Sequence, residues 1–353
     1  MVPPETARAD RLRSVPLITL HLTERCNSRC GSCDYWRHGR EDLTLESVSR
    51  LLPSLRELGT QSVLISGGEP LLHPQWVQIA QLLREQGLRL WLLTSGLSLA
   101  KHATQAAELF QSITVSLDGT DRQMYAAIRG LDAFDKVCAG IRAATLAGAL
   151  LSIRVTVQRS NYSALPMFVT LARELGSRQV SFLAADVRNS HAFGRSGEFN
   201  RDIALHASDL PGFEAALERM ELEHAQAFRS GFIAERPAKL RRLLQYYRAL
   251  CGLGPFPTVR CNAPEFSAVI EATGRVNPCF FIAGPPSGAG SDLGVVLNSE
   301  SMIELRRSIR EGRRPECATC VCSLWRDLSQ VSRLSLGSHL ENHLGNHLGK
   351  HGS

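Results

Sequence analysis

The sequence predicts an α/β protein: a partial, TIM-like (β/α)6 barrel followed by a small C-terminal α+β module. Three observations carry this expectation. Between about Leu17 and Leu183, six short apolar runs alternate with segments whose apolar residues recur every three or four positions. Six such units in a row imply a parallel sheet that curves, because parallel strands need long, usually helical crossovers. After Asp186 the alternation weakens, and a Gly/Pro-rich stretch at 252–257 leads into a hairpin pattern.

Strands are expected at 17–22, 62–65, 88–93, 113–117, 151–157 and 180–183, each β-rich or continuously apolar, as for strands covered by helices on both sides. Helices are expected at 45–58, 74–86, 99–109, 134–147 and 165–175, with Thr44 as an N-cap and Glu46 placed to favour the helix dipole. In such folds the active site forms at the C-terminal ends of the strands. Residues 187–209, rich in Ser, Asn, Gly and Arg, read as a loop or linker; helices follow at 212–228 and 238–250. Strands at 267–270 and 275–278 flank the turn Ala272-Thr273-Gly274, and a helix at 301–310 precedes the last cysteines. The organisation expected is an N-terminal extension (1–15), a barrel (16–210), a helical linker (211–255), a module (256–330) and a tail (331–353). The tail carries His339, His343, His347 and His351; it reads as disordered, with weak metal affinity as the alternative.

The 353 residues are 44% hydrophobic and 21% charged, which suits a packed core. The first residues are polar and charged, lacking the apolar stretch of a secretory signal, and no apolar run approaches the roughly 18 residues needed to span a bilayer. A soluble, cytoplasmic protein with no membrane partner is expected. The net charge of +6 is dispersed among acids. Dense basic pairs occur at Arg241-Arg242, Arg306-Arg307 and Arg313-Arg314, without interleaved aromatics, which argues against nucleic acid and leaves an anionic small substrate or a cofactor carboxylate.

The ten cysteines are the main clue. In a reducing compartment, clustered cysteines point to metal or catalysis. Cys26, Cys30 and Cys33 are spaced C-x3-C-x2-C directly after the first strand. Three thiolates on a short loop can wrap one corner of a 4Fe–4S cubane and leave one iron open to a ligand that is not protein. A zinc site with His38 as fourth ligand is the alternative. Cys261 and Cys279 bracket the hairpin, and Cys317, Cys320 and Cys322 follow the last helix. Four of these complete a ligand set for either 4Fe–4S or zinc. Cys138, inside an apolar helix pattern, reads as core.

Ser66-Gly67-Gly68-Glu69-Pro70 ends the second strand. Its glycines allow close backbone approach and positive φ, and Glu69 offers a carboxylate to an ammonium; a plain turn is the alternative. Thr94-Ser95-Gly96 and Ser116-Leu117-Asp118-Gly119 end the third and fourth strands. Ser116 and Asp118, two apart, share a side of the strand. Capping is the alternative for Asp118, and an ordinary salt bridge for Arg154 on the fifth strand.

The run from Leu20 through Cys26-Asn27-Ser28-Arg29-Cys30-Gly31-Ser32-Cys33 resembles the opening strand and cluster loop of the radical S-adenosylmethionine (SAM) superfamily, and the resemblance covers most of residues 15–190. It implies that Cys26, Cys30 and Cys33 hold a 4Fe–4S cluster whose open iron chelates the methionine amino and carboxylate groups of SAM. One electron then splits the cofactor to a 5′-deoxyadenosyl radical that abstracts hydrogen. It further implies that Gly67, Gly68, Glu69 and Pro70 hold the amino group, that Ser116 and Asp118 reach the ribose or carboxylate and that Arg154 pairs with the carboxylate; Leu183 packs on adenine or is an ordinary core leucine. Ser32 stands where the family usually has an aromatic, so Tyr35 or Trp36 takes that side.

The second cysteine group resembles the SPASM and twitch auxiliary-cluster modules of the same superfamily. Too few cysteines follow for two clusters, which implies one auxiliary 4Fe–4S cluster on Cys261, Cys279, Cys317 and Cys320, with Cys322 as an alternative to Cys320. The implied activity is oxidation of a small polar metabolite, sugar- or cyclitol-like, with an electron passed to that cluster and a flavodoxin or ferredoxin as reductant. Only about fifteen residues precede the first strand, which argues against a peptide-binding domain, and the C-terminal His351-Gly352-Ser353 argues against molybdopterin-type synthesis. The alternatives are peptide modification, epimerisation with Cys251 as hydrogen donor (or as an extra ligand, or inert), and a non-catalytic iron–sulfur or zinc protein.

Overall fold

The computed structural model describes residues 10–195 and 201–327. Six strands, β1 (Leu17–Thr23), β2 (Ser62–Gly67), β3 (Arg89–Thr94), β4 (Ser112–Ser116), β5 (Leu151–Val157) and β6 (Gln179–Ala184), pair in parallel in chain order. Between them run α1 (Tyr35–His38), α2 (Leu45–Glu57), α3 (Trp76–Glu85), α4 (Leu99–Leu109), α5 (Arg122–Arg129), α6 (Phe134–Leu146) and α7 (Leu165–Glu174). Thr44 caps α2 by accepting from the Ser47 N–H at 3.1 Å, as its position suggested. Periodicity marked no helix at α5: eight residues are too few turns for a pattern to stand out. Asp121 starts it by accepting from Met124 N–H, and Gly130 closes it at φ 71°.

Burial alternates strictly along β3, β4 and β5. Ile18 and Leu20, Val63 and Ile65, Leu90 and Leu92, Ile113 and Val115, and Ile153 and Val155 pack with Leu51, Ile79, Leu99, Ile141 and Phe168 of the helices in one core. The opposite row, including Leu64, Trp91, Thr114, Ser116, Arg154, Thr156 and Leu183, is only half-buried. Helices therefore cover one face, not both as expected, and the other forms a mixed polar concavity.

Beyond β6 come α8 (Leu210–Glu223), α9 (Ala225–Arg229) and α10 (Pro237–Leu250). The single helix expected at 212–228 is two, interrupted at His224. The C-terminal hairpin is present as β7 (Ser267–Ile270) and β8 (Val276–Asn277), with Gly274 at φ 83° in the turn. It does not stand apart from the barrel. β7 pairs in parallel with β1, Leu17 opposite Ser267 through Leu20 opposite Ile270, so one eight-stranded sheet runs β6-β5-β4-β3-β2-β1-β7-β8. The edge that a partial barrel leaves at β1 is thereby covered. Three further helices, α11 (Leu293–Leu297), α12 (Glu300–Arg310) and α13 (Pro315–Ala318), lead to the last cysteines. Among the described residues no helix is long and apolar enough to cross a membrane. The His-rich tail and its terminal tripeptide lie outside the described residues.

Candidate cofactor site at the barrel mouth

The loop carrying Cys26, Cys30 and Cys33 leaves β1 and is held on three sides by backbone. On the β2 side, Gly68 N–H donates to Thr23 O at 2.7 Å and Glu69 N–H to Arg25 O at 2.8 Å. Gly67 sits at φ 123°, and a Cβ on Gly68 would lie 2.3 Å from Arg25 O and 2.5 Å from Glu24 O. The paired glycines are needed because the two loops touch main chain to main chain. On the α5 side, Arg29 N–H donates to Arg129 O at 2.9 Å and Gly31 N–H to Ile128 O at 3.3 Å. On the third side, the Phe193 carbonyl accepts from Asp34 N–H at 2.8 Å and from the Cys33 thiol at 3.4 Å. Phe193 is the only non-glycine residue with positive φ among the described residues, at 65°, a conformation that costs energy and concentrates at functional sites. Arg195 fixes that turn, donating to Ser32 O at 2.9 Å while paired with Asp186 at 3.0 Å. The segment read from composition as a plain loop is thus a clamp on the cysteines.

Burial pushes the Cys26 thiol up to about 11 and the Cys33 thiol up to about 12, and Cys30 is among the groups acting on both. The two thiols stay neutral at neutral pH until a metal displaces their protons. Among the described residues, no three His, Cys, Asp or Glu side chains converge tightly enough for a single metal ion. A zinc ion draws every ligand to one point, with sulfurs about 2.3 Å away, whereas a cubane takes each thiolate on a different iron. His38, the fourth ligand of the zinc alternative, is exposed. Three half-buried thiols on one loop, beside a buried guanidinium, fit a 4Fe–4S cluster.

Two of the expected cofactor-binding carboxylates are also engaged within the protein. Glu69 is fully buried, and its carboxylate is used by the protein: Oε1 accepts from Leu71 N–H at 3.1 Å and Thr94 Oγ1 at 2.7 Å, and Oε2 from Ser95 N–H at 2.7 Å and Ser95 Oγ at 2.5 Å. It ties the end of β2 to the end of β3. Pro70 beside it is buried and opens a 3-10 turn. Asp118, one residue past β4's last neighbour, likewise turns inward. Its Oδ1 accepts from Thr156 N–H at 2.6 Å and its Oδ2 pairs with Arg129 Nη2 at 2.7 Å. Burial raises the Asp118 carboxyl, while Arg129 and the Thr156 N–H pull it back.

Arg129 was not anticipated. Buried on α5 beside Tyr125 and Ile128, it places Nη1 3.4 Å from Cys30 Sγ. Burial works against its charge, yet Asp118 and Cys30 hold the guanidinium protonated above its ordinary range. The available signal was an arginine at a core position of an otherwise apolar stripe.

Ser116, Arg154 and Ser181 stand opposite one another on β4, β5 and β6, with Arg154 Nε 3.4 Å from Ser181 Oγ. This ledge lies on the half-covered face, near Leu183. Tyr35 turns onto β1, with its hydroxyl 3.4 Å from His21 Nδ1. Trp36 braces the cysteine loop instead, donating to Cys30 O at 3.3 Å.

The cysteines of the second group lie near enough for their charges to act on one another. Cys261 and Cys317 act on the Cys279 thiol, which burial pushes up to about 12; Cys261 acts on Cys317, and Cys322, Cys261 and Cys279 act on Cys320. Cys322 is exposed, and its N–H donates to Cys320 Sγ at 3.4 Å. Cys279 adjoins Phe280, whose ring meets His21 at 5.8 Å and Phe193 at 4.9 Å. The two cysteine groups are joined by that aromatic contact. Cys251 joins neither: it caps α10, its thiol donates to Leu205 O at 3.5 Å, and burial and Asp209 are what raise it. Cys138 is buried in the core, and all ten cysteines are free.

Residues 20–164 match the family model described as the radical SAM superfamily. A protein of Methanopyrus kandleri named probable GTP 3′,8-cyclase is 34% identical over 224 residues, 61% of this chain and 69% of that one. An AdoMet-dependent heme synthase of Methanosarcina barkeri is 30% identical over 167 residues, 46% of this chain and 48% of that one. The chain spans 54% and 41% of two other relatives bearing the cyclase name. Among solved structures, Streptococcus suis SuiB bound to SAM superposes with a TM-score of 0.63 over 97% of this chain and 79% of that one, at 14% identity, which shows a shared fold. The chain belongs to the radical SAM superfamily, whose enzymes use a 4Fe–4S cluster and SAM.

Proposed function

We propose that this enzyme holds its SAM-binding 4Fe–4S cluster on Cys26, Cys30 and Cys33 and a second, auxiliary cluster on Cys261, Cys279, Cys317 and Cys320, and that it oxidises a small polar metabolite. The carrying observation is the contact between the two cysteine groups: Phe280, next to Cys279, packs on His21 of β1 and on Phe193, whose carbonyl holds Cys33. A substrate radical formed at the barrel mouth then lies within reach of an electron acceptor on the β1 side. When bound, the first cluster supplies the electron that splits SAM to the 5′-deoxyadenosyl radical. The chain's own residues bind and orient. Gly67 and Gly68 offer backbone to the methionine ammonium, and Arg154 with Ser116 offers a cation and a hydroxyl to its carboxylate. Cys320, turned inward, suits a ligand better than exposed Cys322.

Relatives named GTP 3′,8-cyclase support a second reading, in which the substrate is a nucleoside triphosphate; they remove the weight given to the C-terminal tripeptide. An external flavodoxin or ferredoxin would supply the electron. Incubating reconstituted enzyme with SAM, reductant and deuterated candidates, both sugar- or cyclitol-like metabolites and GTP, tests the reading. Deuterium in 5′-deoxyadenosine from a sugar or cyclitol supports the first substrate class, and transfer from GTP alone replaces it with the second.

A further inference from the structure

The Arg129–Asp118 pair touches a thiol of the first cysteine group. Resting on the cluster assignment above, we propose that Arg129 is a positioning residue that raises the reduction potential of the cluster on Cys26, Cys30 and Cys33, and that Asp118 aims its guanidinium and offsets part of its charge. Arg129 Nη2 pairs with Asp118 Oδ2 at 2.7 Å, and Nη1 points to Cys30 Sγ at 3.4 Å. Both side chains are nearly buried, at 10% and 5% exposed. Asp118's other oxygen is taken by Thr156 N–H, so the carboxylate cannot rotate away.

The pair does more than close the helix. Gly130 already ends α5, donating to Ala126 O, and it is the Arg129 carbonyl, not its side chain, that anchors the cysteine loop through Arg29 N–H. A buried ion pair is often no more stabilising than apolar residues of similar volume. The guanidinium therefore answers to what it faces: a thiolate carrying part of the cluster's negative charge. An N–H donor and a positive charge at a ligand sulfur favour the reduced, more negative state, since hydrogen bonds and net charge set iron–sulfur potentials. At this buried site the charges are screened by salt much less than a surface pair would be.

The prediction has a sign that a merely structural role does not share. R129Q removes the positive charge and lowers the first cluster's midpoint. D118N removes the negative charge and raises it. R129K, which keeps the charge, stays nearer wild type. The test is an anaerobic redox titration of the full-length reconstituted enzyme, followed by electron paramagnetic resonance, with iron counted in each variant. The triple variant lacking Cys26, Cys30 and Cys33 identifies the auxiliary signal, whose midpoint stays put. Unmoved midpoints with iron retained, or shifts of both R129Q and D118N in one direction, overturn the proposal. Should R129Q lose its cluster, D118N decides alone, and the absence of an upward shift overturns it. Wild-type enzyme that binds no cluster sinks the functional reading instead, so the two failures are distinct.

Discussion

Ser95 donates twice to Glu69, through its backbone N–H at 2.7 Å and its hydroxyl at 2.5 Å. With Thr94 and Leu71, it makes Glu69 the fastener between the ends of β2 and β3, directly beneath the loop that carries the cysteines. Glu69→Ala leaves several buried donors unpaired. It should cost about 3 kcal/mol or more of unfolding free energy, measured by urea titration, and reduce iron uptake. Glu69→Gln, which keeps acceptor capacity on one oxygen, should cost less. Equal stability of Glu69→Ala and wild type would contradict the assignment.

How much of this was legible follows from particular residues. The six strands and five of the crossover helices announce themselves because apolar periodicity is local. The pairing of β7 with β1 does not, since Leu17 and Ser267 are far apart in sequence and nothing near either marks the other. The cysteine groups were visible by spacing, and the glycines by their adjacency. The directions taken by Glu69 and Asp118 were not. Each carboxylate is turned inward by donors, Ser95 N–H just past β3 and Thr156 N–H in β5, that neighbouring strands position. Phe193 was invisible because nothing in its own chemistry signals a left-handed backbone.

Gly68→Ala is expected to push the cysteine loop off β2. Its Cβ meets two carbonyl oxygens of main chain, which cannot swing aside as a flexible side chain can. Stability should fall by about 2 kcal/mol or more, and at least half of the first cluster's iron should be lost in anaerobic reconstitution.

Glu235 is buried, accepts from Phe182 N–H at 2.8 Å, and is raised by burial to about 7. Unfolded, it titrates near 4.5. Between those values the folded state binds the extra proton, so stability falls as pH rises from about 4.5 to about 7 and is flat above. At about 1.4 kcal/mol per unit the loss is on the order of 3 kcal/mol. Glu235→Gln should remove this component of the slope when urea midpoints are compared at pH 5 and pH 8.

Cys320→Ser and Cys322→Ser should part company. The first is expected to lose about four irons, a whole cubane, and the second to keep them. Loss from Cys322→Ser alone would exchange the two assignments.

The most direct test joins the first cysteine group to cofactor cleavage. Protein reconstituted without oxygen should hold about eight irons and release 5′-deoxyadenosine from SAM under a strong reductant. The variant Cys26→Ala, Cys30→Ala, Cys33→Ala should keep about four irons and release none. Continued release of 5′-deoxyadenosine by that variant would contradict the placement of the reaction at this loop.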